Sequence, residues 1–109
     1  MTDVARVVIV DDDRAIRWVL ERALAQPDLK VECMERADSA LQGLLDTPPD
    51  VLVTDIRMPG IDGLDLMARV REAHPDLPVI VMTAHSDLDS AVASYQGGAF
   101  EYLPKPFDV

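Results

Sequence analysis

Two apolar stretches of this sequence close on aspartate. "RVVIV" (6–10) runs into "DDD" (11–13), and "VLVT" (51–54) runs into Asp55, with Pro59 and Gly60 shortly after. One such carboxylate can simply start a turn. The meaning changes if the fold brings the two ends together. Two carboxylates about 4 Å apart repel by roughly 4 kcal/mol at an effective dielectric of 20. Three together need a proton, a cation or both. Lys105 is one candidate cation, and Mg2+, a hard ion that takes oxygen ligands and keeps several waters, is another. Carboxylates around Mg2+ are also how proteins handle phosphoryl groups. An aspartate flanked by metal-binding aspartates, the hydroxyl of Thr83 and the amine of Lys105 is therefore equipped to be phosphorylated. Its carboxylate attacks phosphorus, the metal neutralises the oxygens, and Thr83 and Lys105 hold the transferred group.

Such a site needs elements that deliver these residues to one place, and the hydrophobic pattern supplies them. "RVVIV" reads as a buried strand. From Ile16 the apolar positions Val19, Leu20, Ala23 and Leu24 form the stripe of an amphipathic helix, stopped by Pro27. "KVECM" (30–34) is a weaker strand, expected near an edge. Leu41, Leu44 and Leu45 mark a second helix, closed by Pro48 and Pro49; "DVLVTD" (50–55) is the next strand. Leu64, Met67 and Val70 give a third helix, and "LPVIVMT" (77–83) is the most apolar strand. Ser86 caps a fourth helix through Leu88, Val92 and Tyr95, ended by Gly97 and Gly98 before a fifth strand, "AFEYL" (99–103). Strands alternating with helices, the strands apolar on both sides, predict a doubly wound α/β fold: a five-stranded parallel sheet with helices on both faces. In such sheets chemistry gathers beyond the carboxyl ends of the strands. Asp11–Asp13, Asp55, "MTAH" (82–85) and "LPKP" (103–106) all stand there.

Composition narrows the function classes. The 109 residues, 49% of them hydrophobic, make one domain with a single core. Ten basic against twenty acidic residues give a net charge of −10, a surface that repels nucleic acid and anionic membrane. Cys33, the one cysteine, excludes an internal disulfide and a cysteine-built zinc site. No apolar run approaches the roughly 20 residues of a membrane span, and the start lacks a signal-peptide pattern, so a cytoplasmic domain is expected.

On "VDDD" (10–13), "DIRMPGIDGL" (55–64), "VMTAH" (81–85) and "YLPKPF" (102–107), in order and spacing, the chain resembles the receiver domain of two-component response regulators across essentially its whole length. The resemblance implies a flavodoxin-like strand order 2-1-3-4-5 and Asp55 as the phosphoacceptor. It implies Mg2+ held by Asp12, Asp55 and the backbone carbonyl of Arg57, with Asp11 acting through water. Thr83, the Ala84 backbone and Lys105 would contact the phosphoryl group, and Tyr102 would be the aromatic that changes rotamer on activation. Self-phosphorylation from small donors and self-dephosphorylation follow, without the domain being an enzyme for another substrate. "AIRWVLERAL", "MTAHSDLDSAV" and "GAFEYLPKPFDV" are most similar to the NtrC-type nitrogen regulators. Those activate sigma-54 RNA polymerase, with an ATPase and a DNA-binding domain after the receiver. The implied partners are a sensor histidine kinase, docking on the first-helix side where Arg14, Trp18 and Arg22 lie, and the output domains of the same chain. Because family receivers continue into a fifth helix, residues 1–109 are expected to be a receiver truncated before it. One sheet face would then be uncovered, and a homodimer could cover it.

Plainer roles compete. Asp13 suits a helix N-cap, Asp62 its Asp-Gly turn, His85 a solvated loop, and His74 has no evident chemistry. Met34, Met58, Met67 and Met82 read as core or loop filler. Tyr102 and Trp18 could equally be packing residues. Three other functions fit less well. A haloacid-dehalogenase-like phosphatase wants a second Asp two residues after the nucleophile, where this chain has Arg57. A phosphorylation-independent interaction module would normally have lost Lys105, Thr83 or one of the acidic pair. A flavodoxin-like cofactor role lacks a phosphate-binding loop after the first strand. The receiver of another sigma-54-type activator is the near alternative.

Overall fold

The computed structural model describes residues 4–58 and 60–83 together with the backbone of 101–104. Seven elements position the site: β1 (Ala5–Val10), α1 (Arg14–Ala23), β2 (Leu29–Met34), α2 (Ala37–Asp46), β3 (Val51–Asp55), α3 (Gly63–Ala73) and β4 (Val79–Thr83). These strands are parallel and lie side by side as β2-β1-β3-β4. The weak "KVECM" strand is at an edge, as its sequence suggests. The region assigned to the fourth helix, 86–96, and the glycines after it lie outside the described residues.

Alternation along the strands divides the core in two. Val8 and Val10 of β1, Leu52, Val79 and Val81 pack with Ala37, Ala40 and Leu44 of α2 and Leu66, Met67 and Val70 of α3. On the opposite face Val7, Ile9, Val53 and Met82 pack with Ile16 of α1, flanked by half-buried Leu20 and Leu24. Strands buried from both sides read as continuous apolar runs, which is why β1, β3 and β4 are so rich in Val, Ile and Leu. Met67 and Met82 are core residues, as expected. Leu66 is fully buried as well, beside the predicted stripe of Leu64, Met67 and Val70.

α1 and α3 begin on aspartate caps, whereas α2 starts after Arg36 with no side-chain cap. Asp13 caps α1, its carboxylate accepting from the Ala15 N–H at 2.9 Å. Asp62 caps α3 in the same way, accepting from the Asp65 N–H at 2.9 Å, so the Asp-Gly pair starts a helix as well as a turn. α2 stops at Thr47, ahead of Pro48 and Pro49. His74 follows α3, and its ring nitrogen lies 2.8 Å from the Leu45 carbonyl of α2, a tie between helices that the sequence did not suggest.

Backbone packs closely where β3 leads into α3. Gly60 adopts φ +78°, left-handed backbone that glycine takes at no steric cost. It rests against the Arg36–Asp38 ion pair, whose two parallel bonds measure 2.9 and 2.7 Å. At Gly63 a Cβ would collide with the Asp55 carbonyl, so only glycine allows α3 to start this close to the end of β3. The Gly63 N–H donates to the Ile56 carbonyl at 2.8 Å and closes the loop into a ring.

Candidate functional site

The carboxyl ends of β1 and β3 are adjacent, and their aspartates meet. Asp11, Asp12 and Asp55 each place a carboxylate oxygen within 4.8 Å of the other two. Asp11 is fully buried and Asp55 only 4% exposed, whereas Asp12 opens to solvent. At that spacing a charged pair repels by roughly 3 kcal/mol at an effective dielectric of 20. All-oxygen donors with part of the cluster facing water match what a hard divalent cation requires.

The backbone around this cluster is firmly held. The Asp11 N–H donates to the Met34 carbonyl of β2 at 3.0 Å, and Asp11 Oδ1 accepts from the Asp13 N–H at 2.8 Å. From α1, Arg17 Nη1 donates to the Asp11 carbonyl at 2.7 Å. On β3, buried Thr54 donates its hydroxyl to the Asp55 carbonyl at 3.0 Å, on the same peptide group that Gly63 approaches. The Ile56 N–H continues the ladder to the Met82 carbonyl at 3.3 Å.

Thr83 sits one residue past the Asp55–Met82 register pair, buried at the end of the neighbouring strand. Arg57 is exposed, two residues beyond Asp55. Ala84 and Lys105 lie outside the described residues, and Tyr102 is described by its backbone alone. On α1, Trp18 is 60% exposed rather than packed on a neighbouring helix. The Arg22 guanidinium lies 4.9 Å from its ring centroid, a cation–π contact between residues one turn apart. Arg14, also exposed, precedes Trp18 by four positions and so shares that side of the helix.

Three contributors were missed in the sequence. Arg17 carries a weak signal, a cation within two turns of an acidic strand end. Gly63 was visible only as part of a turn. Thr54 gave no signal beyond being a polar residue in an apolar strand. Burial and then the Glu21 carboxylate 3.6 Å away push the thiol of Cys33, on β2 behind Arg17, up to about 11, which disfavours the reactive thiolate.

Known proteins carry the same pattern. The sequence profile of the response regulator receiver domain matches residues 7–109. The DNA-binding transcriptional regulator NtrC of Escherichia coli (strain K12) is 59% identical over 103 residues, covering 94% of this chain and 22% of that protein. Regulatory protein AtoC of the same organism is 38% identical over 109 residues, all of this chain and 24% of the other. The chain thus spans about a fifth of the length of these curated relatives. Among solved structures, the BeF3-activated receiver domain of Nitrogen Regulatory Protein C (NtrC) superposes with a TM-score of 0.80 at 57% identity, covering 99% of this chain and 86% of that one. With a flavodoxin-like parallel sheet, an acidic cluster at its carboxyl edge and a profile match over nearly its whole length, the chain belongs to the response regulator receiver domain family.

Proposed function

We propose that this domain is a phosphorylation-dependent signalling switch in nitrogen regulation. Asp55 accepts a phosphoryl group from a sensor histidine kinase, and output domains of the same chain read its state. The observation that carries this reading is the meeting of Asp11, Asp12 and Asp55 at one sheet edge, with Thr83 on the adjacent strand. The 59% identity to NtrC, against 38% to AtoC, favours a nitrogen regulator over another activator receiver.

In this reading the sheet has a fifth strand, β5 (Glu101–Pro104), giving the order 2-1-3-4-5. The backbone register of Ile80↔Glu101 through Thr83↔Pro104 supports it. Tyr102 lies on β5, and Lys105 follows the end of that strand in the sequence. Mg2+ would be held by Asp12, Asp55 and the Arg57 carbonyl, with Asp11 through water; when bound it neutralises the phosphoryl oxygens. The chain's own residues do the rest. An Asp55 carboxylate oxygen attacks phosphorus, a P–O bond to Asp55 forms, and the bond to the donor's leaving group breaks. Thr83, the Ala84 N–H and Lys105 bind the transferred group, and Tyr102 reports it by changing rotamer. Water later attacks phosphorus, the P–O bond to Asp55 breaks, and free Asp55 and inorganic phosphate result. Arg14, Trp18 and Arg22 offer the kinase a docking side, with Trp18 as the anchor.

Residues 1–109 form the receiver of a longer cytoplasmic regulator, whose ATPase and DNA-binding domains lie elsewhere in the parent. The coverage of only 22% of NtrC supports this. Among the described residues no helix is long and apolar enough to cross a membrane.

Intact mass after incubation with acetyl phosphate and Mg2+ tests the reading. One phosphoryl adduct is expected, absent with EDTA and absent in Asp55→Asn. An adduct that persists in Asp55→Asn moves the site elsewhere.

A further inference from the structure

The acidic pair is aimed by something outside it. The peptide joining Asp11 to Asp12 is a rigid plane, so its orientation decides where the Asp12 carboxylate can reach. Asp11 is held at its own N–H by Met34 and at its side chain by the Asp13 N–H. Neither contact touches the carbonyl oxygen of the Asp11–Asp12 peptide. That oxygen is gripped by the Arg17 guanidinium at 2.7 Å, a short, charge-assisted bond from a half-buried side chain. Arg17 is itself anchored at the start of α1, next to fully packed Ile16, and its backbone carbonyl faces the Cys33 thiol of β2 at 4.0 Å.

We propose that Arg17 is a positioning residue for cation binding, fixing the Asp11–Asp12 peptide so that Asp12 meets Asp55. This rests on the functional reading given above. The charge of Arg17 makes the proposal unusual and testable. A cation beside an acidic cluster opposes Mg2+ by plain Coulomb repulsion, so removing it should tighten Mg2+ binding if charge alone mattered. Positioning predicts the reverse sign. Loss of a group that orients a metal ligand typically costs 10–100-fold in affinity. Here the grip is on the backbone, and the lower end of that range is expected.

The test is a Mg2+ titration followed by the amide shifts of residues 11–13 and 55, at low and high salt, with melting temperatures measured in parallel. Arg17→Met, which removes donor and charge, should weaken Mg2+ about tenfold at both salt concentrations. Arg17→Lys, which keeps a charge and a donor, should recover most of that loss. If Arg17→Met does not fold, Arg17→Gln replaces it and carries the same expectation of weakened binding. Unchanged affinity with a lowered melting temperature would make Arg17 merely structural and overturn the proposal. Tighter binding at low salt would show a charge effect and also overturn it, as would a Lys variant no better than Met. A wild-type protein that shows no Mg2+ response at these amides would instead overturn the functional reading itself, and this inference with it.

Discussion

The two ends of β1 use carboxylates in opposite ways. At the amino end, Arg6 is surrounded by acceptors. Its Nε and Nη2 donate to Glu32 at 3.2 and 3.0 Å, its Nη1 to the Thr47 carbonyl at 2.7 Å, and its backbone N–H to Asp50 at 2.7 Å. Lys30 adds a second cation 3.6 Å from Glu32. Chiefly because of the Arg6 hydrogen bonds, the Glu32 carboxyl is held below its ordinary pKa. At the carboxyl end, five and six residues on, acid faces acid. Asp11 and Asp12 converge on Asp55, and the nearby Arg17 is turned to a backbone carbonyl. The same residue type therefore joins segments at one end, where charge is matched. At the other it gathers three carboxylates in one place, an oxygen donor set that a hard cation can use.

The largest break in this contrast should come from Gly63. Gly63→Ala forces a methyl group into the Asp55 carbonyl, so either α3 or the end of β3 must move. Overpacking of this kind costs about 1–3 kcal/mol, and clash with backbone puts this case at the upper end. Urea unfolding should show that loss, and acetyl phosphate labelling of Asp55 should fall with it. Normal stability and labelling would mean that the close approach has no consequence.

Asp12→Asn sharpens the contrast by giving stability and function opposite signs. Relieving repulsion at an exposed position should stabilise the metal-free protein by about 1 kcal/mol, a solvent-screened share of the Coulomb cost. The stabilisation that Mg2+ gives the wild type should shrink or vanish in the variant. Melting curves with and without Mg2+ check both halves, and a metal-free variant less stable than wild type would contradict the repulsion argument.

The smallest effect belongs to the matched end. Glu32→Gln should cost at most about 1 kcal/mol at neutral pH and leave phosphorylation unchanged. Since folding lowers the Glu32 pKa, its contribution is complete above the unfolded value of 4.5 and fades as pH falls through the folded value. Wild type and variant should therefore converge in stability in acid. A gap that persists well below that range would assign the effect to packing rather than charge.

The layout of the sheet was legible because it depends on short-range pattern. Runs of Val, Leu and Ile marked β1, β3 and β4, Pro48 and Pro49 closed α2, and the polar letters of "KVECM" marked an edge, while α1 ended at Leu24, ahead of Pro27. Asp11, Asp12 and Asp55 were legible too, because strand ends in such a sheet converge and acidic groups there are costly without a purpose. What could not be read depends on contacts between segments. Nothing in "AIRWV" says that Arg17 turns back to Asp11 rather than to water. Nothing in "IDGL" says that the backbone of Asp55 lies where a Gly63 side chain would be. Trp18 was ambiguous for the same reason, since an aromatic on a helix stands in solvent or in a groove according to what lies beside it.

The ring closed by the Gly63–Ile56 hydrogen bond has a further meaning for how this loop can change in length. Connecting loops ordinarily accept inserted or deleted residues, because their ends are free to drift apart by small amounts. Here both ends are fixed, one by the Thr54 hydroxyl on Asp55 and the other by a helix start that leaves no room for a methyl group. Midway, Gly60 lies against the Arg36–Asp38 pair at the start of α2. Adding a residue would have to bulge outward past that pair, and removing one would pull α3 off its seat. The segment from 56 to 63 is in this sense a measured spacer between the end of a strand and the start of a helix.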